Sequence, residues 1–226
     1  MVYVTGDLHG DIDRLFSREW RKLKKGDTLI VCGDFGFVWN HSEIEQEALN
    51  YLSTRKYNIA FLDGTHDNFD RLATYRKTVW KGGLVHRLGE HLYHLERGQI
   101  FNIEGLTLFT FGGGESVDKD VRLESGKWWK EELPTAEEMA NGAEKLDEVE
   151  RNVDYIITHE PPSTIKSAML LRQNERENVN KLNGYFDQIS RLCEFKHWYF
   201  GSLHEDRTVT PKHTCVFKKL VPLNKQ

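Results

Sequence analysis

Five short blocks of the chain hold the side chains with the greatest chemical potential: Gly6-Asp7-Leu8-His9-Gly10, Gly33-Asp34-Phe35-Gly36, Gly64-Thr65-His66-Asp67, Thr158-His159-Glu160 and Gly201-Ser202-Leu203-His204. Every block carries an aspartate, a histidine or both. Carboxylate and imidazole donors without thiolate suit Mn, Fe, Zn, Co or Ni better than a soft metal or an all-oxygen Mg or Ca site. On an extended segment, side chains two apart share a face, so Asp7 and His9 can hold one ion together. Asp34 has two carboxylate oxygens and can bridge that ion to a second about 3.5–4 Å away, an arrangement that activates a water and clamps a phosphate. The chemistry to expect is metal-assisted hydrolysis of a phosphate ester.

The elements that must position these blocks are legible as apolar runs. Val2-Tyr3-Val4, Thr28 to Cys32, Ile59 to Leu62, Tyr155-Ile156-Ile157 and Trp198-Tyr199-Phe200 are rich in β-branched and aromatic residues and read as buried core strands. Each block sits at the carboxyl end of one run, where open α/β sheets place their ligands. Glycine beside most blocks allows a sharp turn toward a shared centre. Between the strands, helical periodicity predicts amphipathic helices over Asp11 to Lys25, Ser42 to Lys56 and Asn178 to Cys193. Capping boxes are expected at Ser42-x-x-Glu45 and at Thr135-x-x-Glu138, the second opening a helix with Met139, Ala143, Leu146 and Val149 on one face. Alternating runs around Glu104-Gly105 predict a hairpin over Gln99 to Phe111, and Thr208 to Thr210 with Thr214 to Val221 predict a closing antiparallel pair. The expectation is an α/β fold with mixed sheets, in one domain spanning residues 1–226.

Composition narrows the class. The 226 residues are 38% hydrophobic and 29% charged, which supports a real core and excludes disorder. No stretch approaches the roughly 18 apolar residues of a membrane span, and the first residues lack a basic signal-peptide region, so a cytoplasmic location is expected. Cys32, Cys193 and Cys215 are odd in number and widely spaced, and read as buried, reduced thiols. A net charge of −4 with no long basic run gives no strong nucleic-acid signal. Glu131 to Glu150 holds eight carboxylates against Lys145 alone and reads as a solvated helix face.

Taken in order, the five blocks resemble the calcineurin-like metallophosphoesterase superfamily, over residues 6 to 204. Gly112-Gly113-Gly114-Glu115-Ser116-Val117-Asp118-Lys119 and Trp128 to Pro134 further resemble small bacterial and phage-type members. The resemblance implies a four-layer αββα sandwich of two mixed sheets with metals at the strand ends, and residues 112–134 as an insertion near the active site. It implies a first metal held by Asp7, His9, Asp34 and His204, with Asp34 bridging. Mn is the first expectation for this tight site, with Fe, Zn, Co or Ni as alternatives. The second metal would be held by Asp34, His159 and the positions of Thr65 and Ser202, where the family has Asn and His. Hydroxyls are weaker donors than an amide oxygen or an imidazole, so this second site is expected to be weak. His66 matches the family's general acid, and Asp67 could orient it.

Three readings follow. One is a metal-dependent phosphoesterase acting on a phosphomonoester or phosphodiester by metal-activated water, with activity weakened by the incomplete second site. Another is a catalytically degenerate fold that binds a protein or ligand partner, and the third is a nuclease, disfavoured by the missing basic face. His41, Glu160, Glu205 or Asp206 could replace the lost ligands. Lys119 and Arg122, just after the glycine-rich turn, are candidates for substrate contact, and Trp128 and Trp129 could wall a pocket or simply pack.

Overall fold

Residues 1–173 and 179–224 are described by a computed structural model of the chain, and these residues form two mixed sheets. The seven-stranded sheet runs β13 (Val221–Leu223), β1 (Val2–Thr5), β2 (Thr28–Val31), β3 (Asn58–Phe61), β6 (Leu92–Leu95), β5 (Gly83–Arg87), β4 (Arg76–Trp80). The six-stranded sheet runs β11 (Arg207–Thr210), β12 (His213–Cys215), β10 (Glu194–Phe200), β9 (Asn152–Thr158), β8 (Leu106–Phe111), β7 (Gln99–Ile103). The five apolar runs are the parallel centres: β1, β2 and β3 pair in parallel in one sheet, β9 and β10 in the other.

Burial on both faces explains why those strands lack alternation. Val4, Ile30 and Ala60 of one sheet pack against Phe101, Leu108 and Ile157 of the other. The next residues along, Leu29, Val31 and Ile59, point outward and are covered by Ala48 and Leu52 of α1 (Glu43–Ser53) and Leu72 of α2 (Phe69–Leu72). On the far side, Phe109, Ile156 and Trp198 are covered by Leu146, Met169 and Phe186. Those three come from α4 (Ala136–Glu148), α5 (Ser163–Gln173) and α6 (Lys181–Leu192), whereas α3 (Lys119–Glu124) lies within the 112–134 segment. The result is the expected four-layer αββα sandwich.

The Glu104-Gly105 hairpin forms, with both turn residues at positive φ (53° and 73°), as a tight antiparallel connection demands. The Thr135 box forms with both of its reciprocal bonds. At Ser42 only half of the expected box exists: Ser42 Oγ caps Glu45, but the Glu45 carboxylate turns away to accept from the Trp39, Asn40 and His41 amides.

Several expectations are corrected. Asp11 to Lys25 is not one amphipathic helix but two 3₁₀ turns, Ile12–Phe16 and Trp20–Lys22, broken at Ser17 in extended conformation. Its Arg14 guanidinium is drawn to the carbonyls of Asp7 and Phe217, and Trp20 Nε1 to Tyr57 Oη at 2.7 Å, so tertiary partners outcompete helical periodicity. Thr214 to Val221 does not stay in one sheet: β12 ends at Cys215 and the chain crosses to pair β13 with β1. The predicted Asn178 start of the last helix falls outside the described residues; α6 begins at Lys181, capped by Asn180. The antiparallel trio β4, β5 and β6 was not expected from the sequence.

Candidate metal centre

The carboxyl ends of β1, β2, β9 and β10, with the turn after β3, converge on one cluster of ionisable side chains. Three overlapping groups form within it: Asp7 with His9 and His204; Asp7 with Asp34 and His159; His9 with Asp34 and His66. His204 Nε2 lies 3.0 Å from Asp7 Oδ2, His9 Nε2 lies 2.9 Å from His204 Nε2, and His9 Nδ1 lies 3.8 Å from Asp34 Oδ2. His159 bridges the carboxylates, with Nδ1 3.7 Å from Asp7 Oδ1 and Nε2 3.7 Å from Asp34 Oδ1.

The backbone is bent to achieve this. His9, Asp34, Ser202 and His204 all adopt positive φ, between 41° and 53°, a region L-residues enter only when their surroundings hold them there. At Gly201 a Cβ would lie 2.2 Å from Asp7 Oδ1 and 2.7 Å from the Cys32 carbonyl, so the block can approach Asp7 only as glycine.

The electrostatics are those of a cation site. Burial opposes charge on Asp7, yet His159 and His204 outweigh it and hold the carboxyl below its usual range. Asp34 behaves likewise: burial is overcome by His159 and His66, and the acid is held well below the ordinary value. Burial also works against a charged His159 ring, but Asp34 and Asp7 prevail and lift its pKa well above normal. Burial wins at His9, which is lowered, whereas the Asp7 carboxylate, 3.0 Å away, raises His204.

A divalent transition ion fits these donors on three observations. Asp7 Oδ2 is buried and accepts no well-formed hydrogen bond, although His204 Nε2 is close. His9 and His204 aim ring nitrogens at each other at 2.9 Å, where at most one can donate and where two unprotonated nitrogens would face a common ion. The His159 Nδ1–H group faces the Cys32 carbonyl at 3.0 Å, an outer contact that would leave the Nε2 lone pair to an ion on the Asp34 side.

Among the described residues, the side chains at and around Thr65 and Ser202 have these partners. Thr65 Oγ1 is engaged by His66 Nδ1 at 3.0 Å, and Ser202 Oγ is buried without a hydrogen-bond partner. Glu160 is held by Lys166 at 2.7 Å and Asn183 at 3.1 Å. Asp206 accepts from the Phe217, Lys218 and Lys219 amides, Glu205 pairs with Arg207, and His41 pairs with Arg71.

His66 reaches the cleft, but a carboxylate other than the expected one orients it. Its amide and Nδ1 both engage Asp34, at 2.7 and 2.9 Å, and this contact raises its pKa. Asp67 does not orient it. Buried Asp67 instead accepts from the Gly36 and Gly64 amides, and burial, reinforced by Asp34, pushes its pKa up to about 6.

A cleft of about 240 Å³ opens on the cluster, walled by Asp34, Thr65, His66, His159, Ser202 and His204 and, from the 112–134 segment, Ser116 and Val117. Arg122 is buried behind the cleft wall, paired with Glu132 at 2.7 Å and bonded to Ser116. Lys119 lies over the Trp128 ring at 4.4 Å, and Trp129 packs edge-on against Trp39 while donating to Asp70. Sequence reasoning missed Lys166, another wall residue of this cleft, and Arg97, which bonds the Asp63 carboxylate just ahead of the Gly64 block. A lysine seven residues past His159 and an aspartate preceding Gly64 were the available signals.

A family model described as calcineurin-like phosphoesterase matches residues 1–200. Ser202 and His204 lie just past that stretch, and the structure brings them to the same cluster. No curated protein matches the chain. Among solved structures, the phosphopantetheinyl hydrolase PptH from Mycobacterium tuberculosis is similar, at 14% identity over 96% of this chain and 87% of that one, with a TM-score of 0.46.

Proposed function

The chain belongs to the calcineurin-like phosphoesterase family, and from that premise we propose that it hydrolyses a phosphomonoester or phosphodiester with one firmly held divalent transition ion, Mn foremost. The observation that carries this reading is the convergence of Asp7, His9 and His204 beside Asp34, with a buried Asp7 oxygen that makes no well-formed hydrogen bond and faces the His204 ring at 3.0 Å. Bound there, such an ion supplies an acidic water and positive charge for the phosphoryl oxygens.

The chain's own groups do the rest. Asp7 and Asp34 stay ionised because their pKa values are depressed, so both carboxylates keep their charge down to acidic pH. His66 is anchored through Nδ1 on Asp34, which leaves Nε2 to deliver a proton to the leaving oxygen in the cleft. Its raised pKa keeps the acid form present nearer neutrality. Asp67 ties Gly36 to Gly64 and so fixes the Asp34 and His66 turns relative to each other. We place a second, exchangeable ion at Asp34 and His159, weakened by Thr65 and Ser202. The competing reading, a degenerate binding module, draws on the hydroxyl side chains at those two positions and on the engagement of the neighbouring Glu160 carboxylate by Lys166 and Asn183.

Elemental analysis of protein purified without chelator, with Mn-dependent turnover of an alkyl phosphate, tests the proposal. A stoichiometry near one that disappears in Asp7→Ala is expected. Protein that takes up no Mn at saturation overturns the reading, and one that binds Mn without hydrolysing either ester class favours the binding module.

A further inference from the structure

The cleft over the metal centre is rich in acid. Asp34, Glu115, Asp118 and Glu160 line it, and a phosphate ester entering there must meet compensating positive charge. Among the described wall residues, Lys166 is the one cation that is not a histidine. It is 7% exposed on α5, with Nζ 2.7 Å from Glu160 Oε2. Glu160 is itself fixed by the Asn183 amide at 3.1 Å. An ammonium has three N–H donors, and the bond to Glu160, its one side-chain hydrogen bond among the described residues, uses one.

The location of this pair is informative. A Cβ placed on Gly114 would meet the side chains of Thr65, His159 and Glu160 at 3.0, 3.2 and 3.5 Å, so those three converge on one spot. Glu160 therefore stands beside Thr65 and His159, on the side of the weakened second-ion position, and its bond to Lys166 brings that ammonium to the same cleft. Resting on the phosphoesterase reading above, we infer that Lys166 anchors substrate phosphate, its fixed ammonium standing in for the charge of a loosely held second ion, and that it biases the site toward phosphomonoesters. Glu160 is the positioning residue that aims it. The bias follows from charge: a monoester dianion carries one more negative charge than a diester, so it gains more from a fixed cation.

The test uses the full-length Mn-loaded protein, with inorganic phosphate as the probe in titration calorimetry. Lys166→Met should weaken phosphate binding by about 10- to 100-fold, the range of a lost charge-assisted hydrogen bond, with Mn stoichiometry unchanged. Lys166→Arg should retain most of the affinity. Because the single change leaves Glu160 buried without its partner, the double variant Lys166→Met with Glu160→Gln carries the same test without an unpaired charge. In kcat/KM, the alkyl monoester should lose at least several-fold more than the matching diester. A folded double variant with unchanged phosphate affinity, or equal losses on both ester classes, overturns the inference while leaving the phosphoesterase reading intact. An unmodified protein that neither binds phosphate nor hydrolyses either ester removes both.

Discussion

Replacing Arg97 with methionine probes the clamp that holds the His66 turn against the 112–134 segment. Arg97 is 7% exposed and Asp63 1% exposed, and the guanidinium donates from Nε and Nη2 to Asp63 Oδ2 at 2.9 and 2.5 Å. The same Nη2 donates to the Glu131 carbonyl at 2.6 Å, and the Asp63 carbonyl accepts from the Gly113 amide at 2.9 Å. Arg97→Met leaves the buried Asp63 carboxylate without its cation and with only His94, 3.1 Å from Oδ1, for which a loss of about 3–5 kcal/mol is expected near pH 8. Burial already opposes charge on Asp63, and only Arg97 and His94 hold its pKa well below normal. In the unmodified chain that depressed pKa contributes stability above the unfolded value of about 3.9 and loses it as pH falls further. In the variant burial prevails and the folded pKa rises, so Asp63 takes up a proton as pH falls and the deficit shrinks toward pH 5. Urea unfolding followed by tryptophan fluorescence at both pH values measures the difference. Arg97→Met with Asp63→Asn should recover much of it, because no buried charge is left unpaired. A deficit below about 1 kcal/mol at pH 8, or one that does not shrink at pH 5, refutes the reasoning.

His66→Ala should lower turnover of an alkyl phosphate by about 10²–10⁴-fold while an aryl phosphate, which needs little protonation, loses less; equal losses would assign the proton to another group. Thr65→Asn with Ser202→His should raise Mn stoichiometry toward two and increase turnover, each single change doing less than half, since both residues serve one ion. If the double variant binds two ions without faster hydrolysis, the second site is not what limits the enzyme. Gly201→Ala drives a Cβ into Asp7 and the Cys32 carbonyl, so Mn affinity should fall by about 10- to 100-fold by direct titration. Unaltered affinity would mean that the β10 turn yields without moving Asp7.

The sequence by itself determined the parallel strands and the residues they end in. Ile30 faces the other sheet while Leu29 and Val31 face helices, and burial on both sides leaves a continuous apolar run that cannot be mistaken for a surface strand. Once those runs are read, Asp7, Asp34, His159 and His204 follow directly after them, so their convergence could be expected. The strands β4 and β5 left no such mark: Arg76 to Trp80 is largely exposed at a sheet edge, where side chains answer to solvent rather than to a core. Local periodicity misled over Asp11 to Lys25, because Arg14 and Trp20 bind groups far along the chain and those bonds outweigh the helix they would otherwise support. Only the tertiary structure decided which charge meets which. Asp67 follows His66 directly yet bonds backbone amides, while Asp34, 32 positions away, holds the His66 ring. Lys166 and Glu160 gain their meaning from Gly114, whose missing side chain lets Thr65, His159 and Glu160 meet. Such pairings depend on strand order and turn geometry, and sequence spacing carries neither.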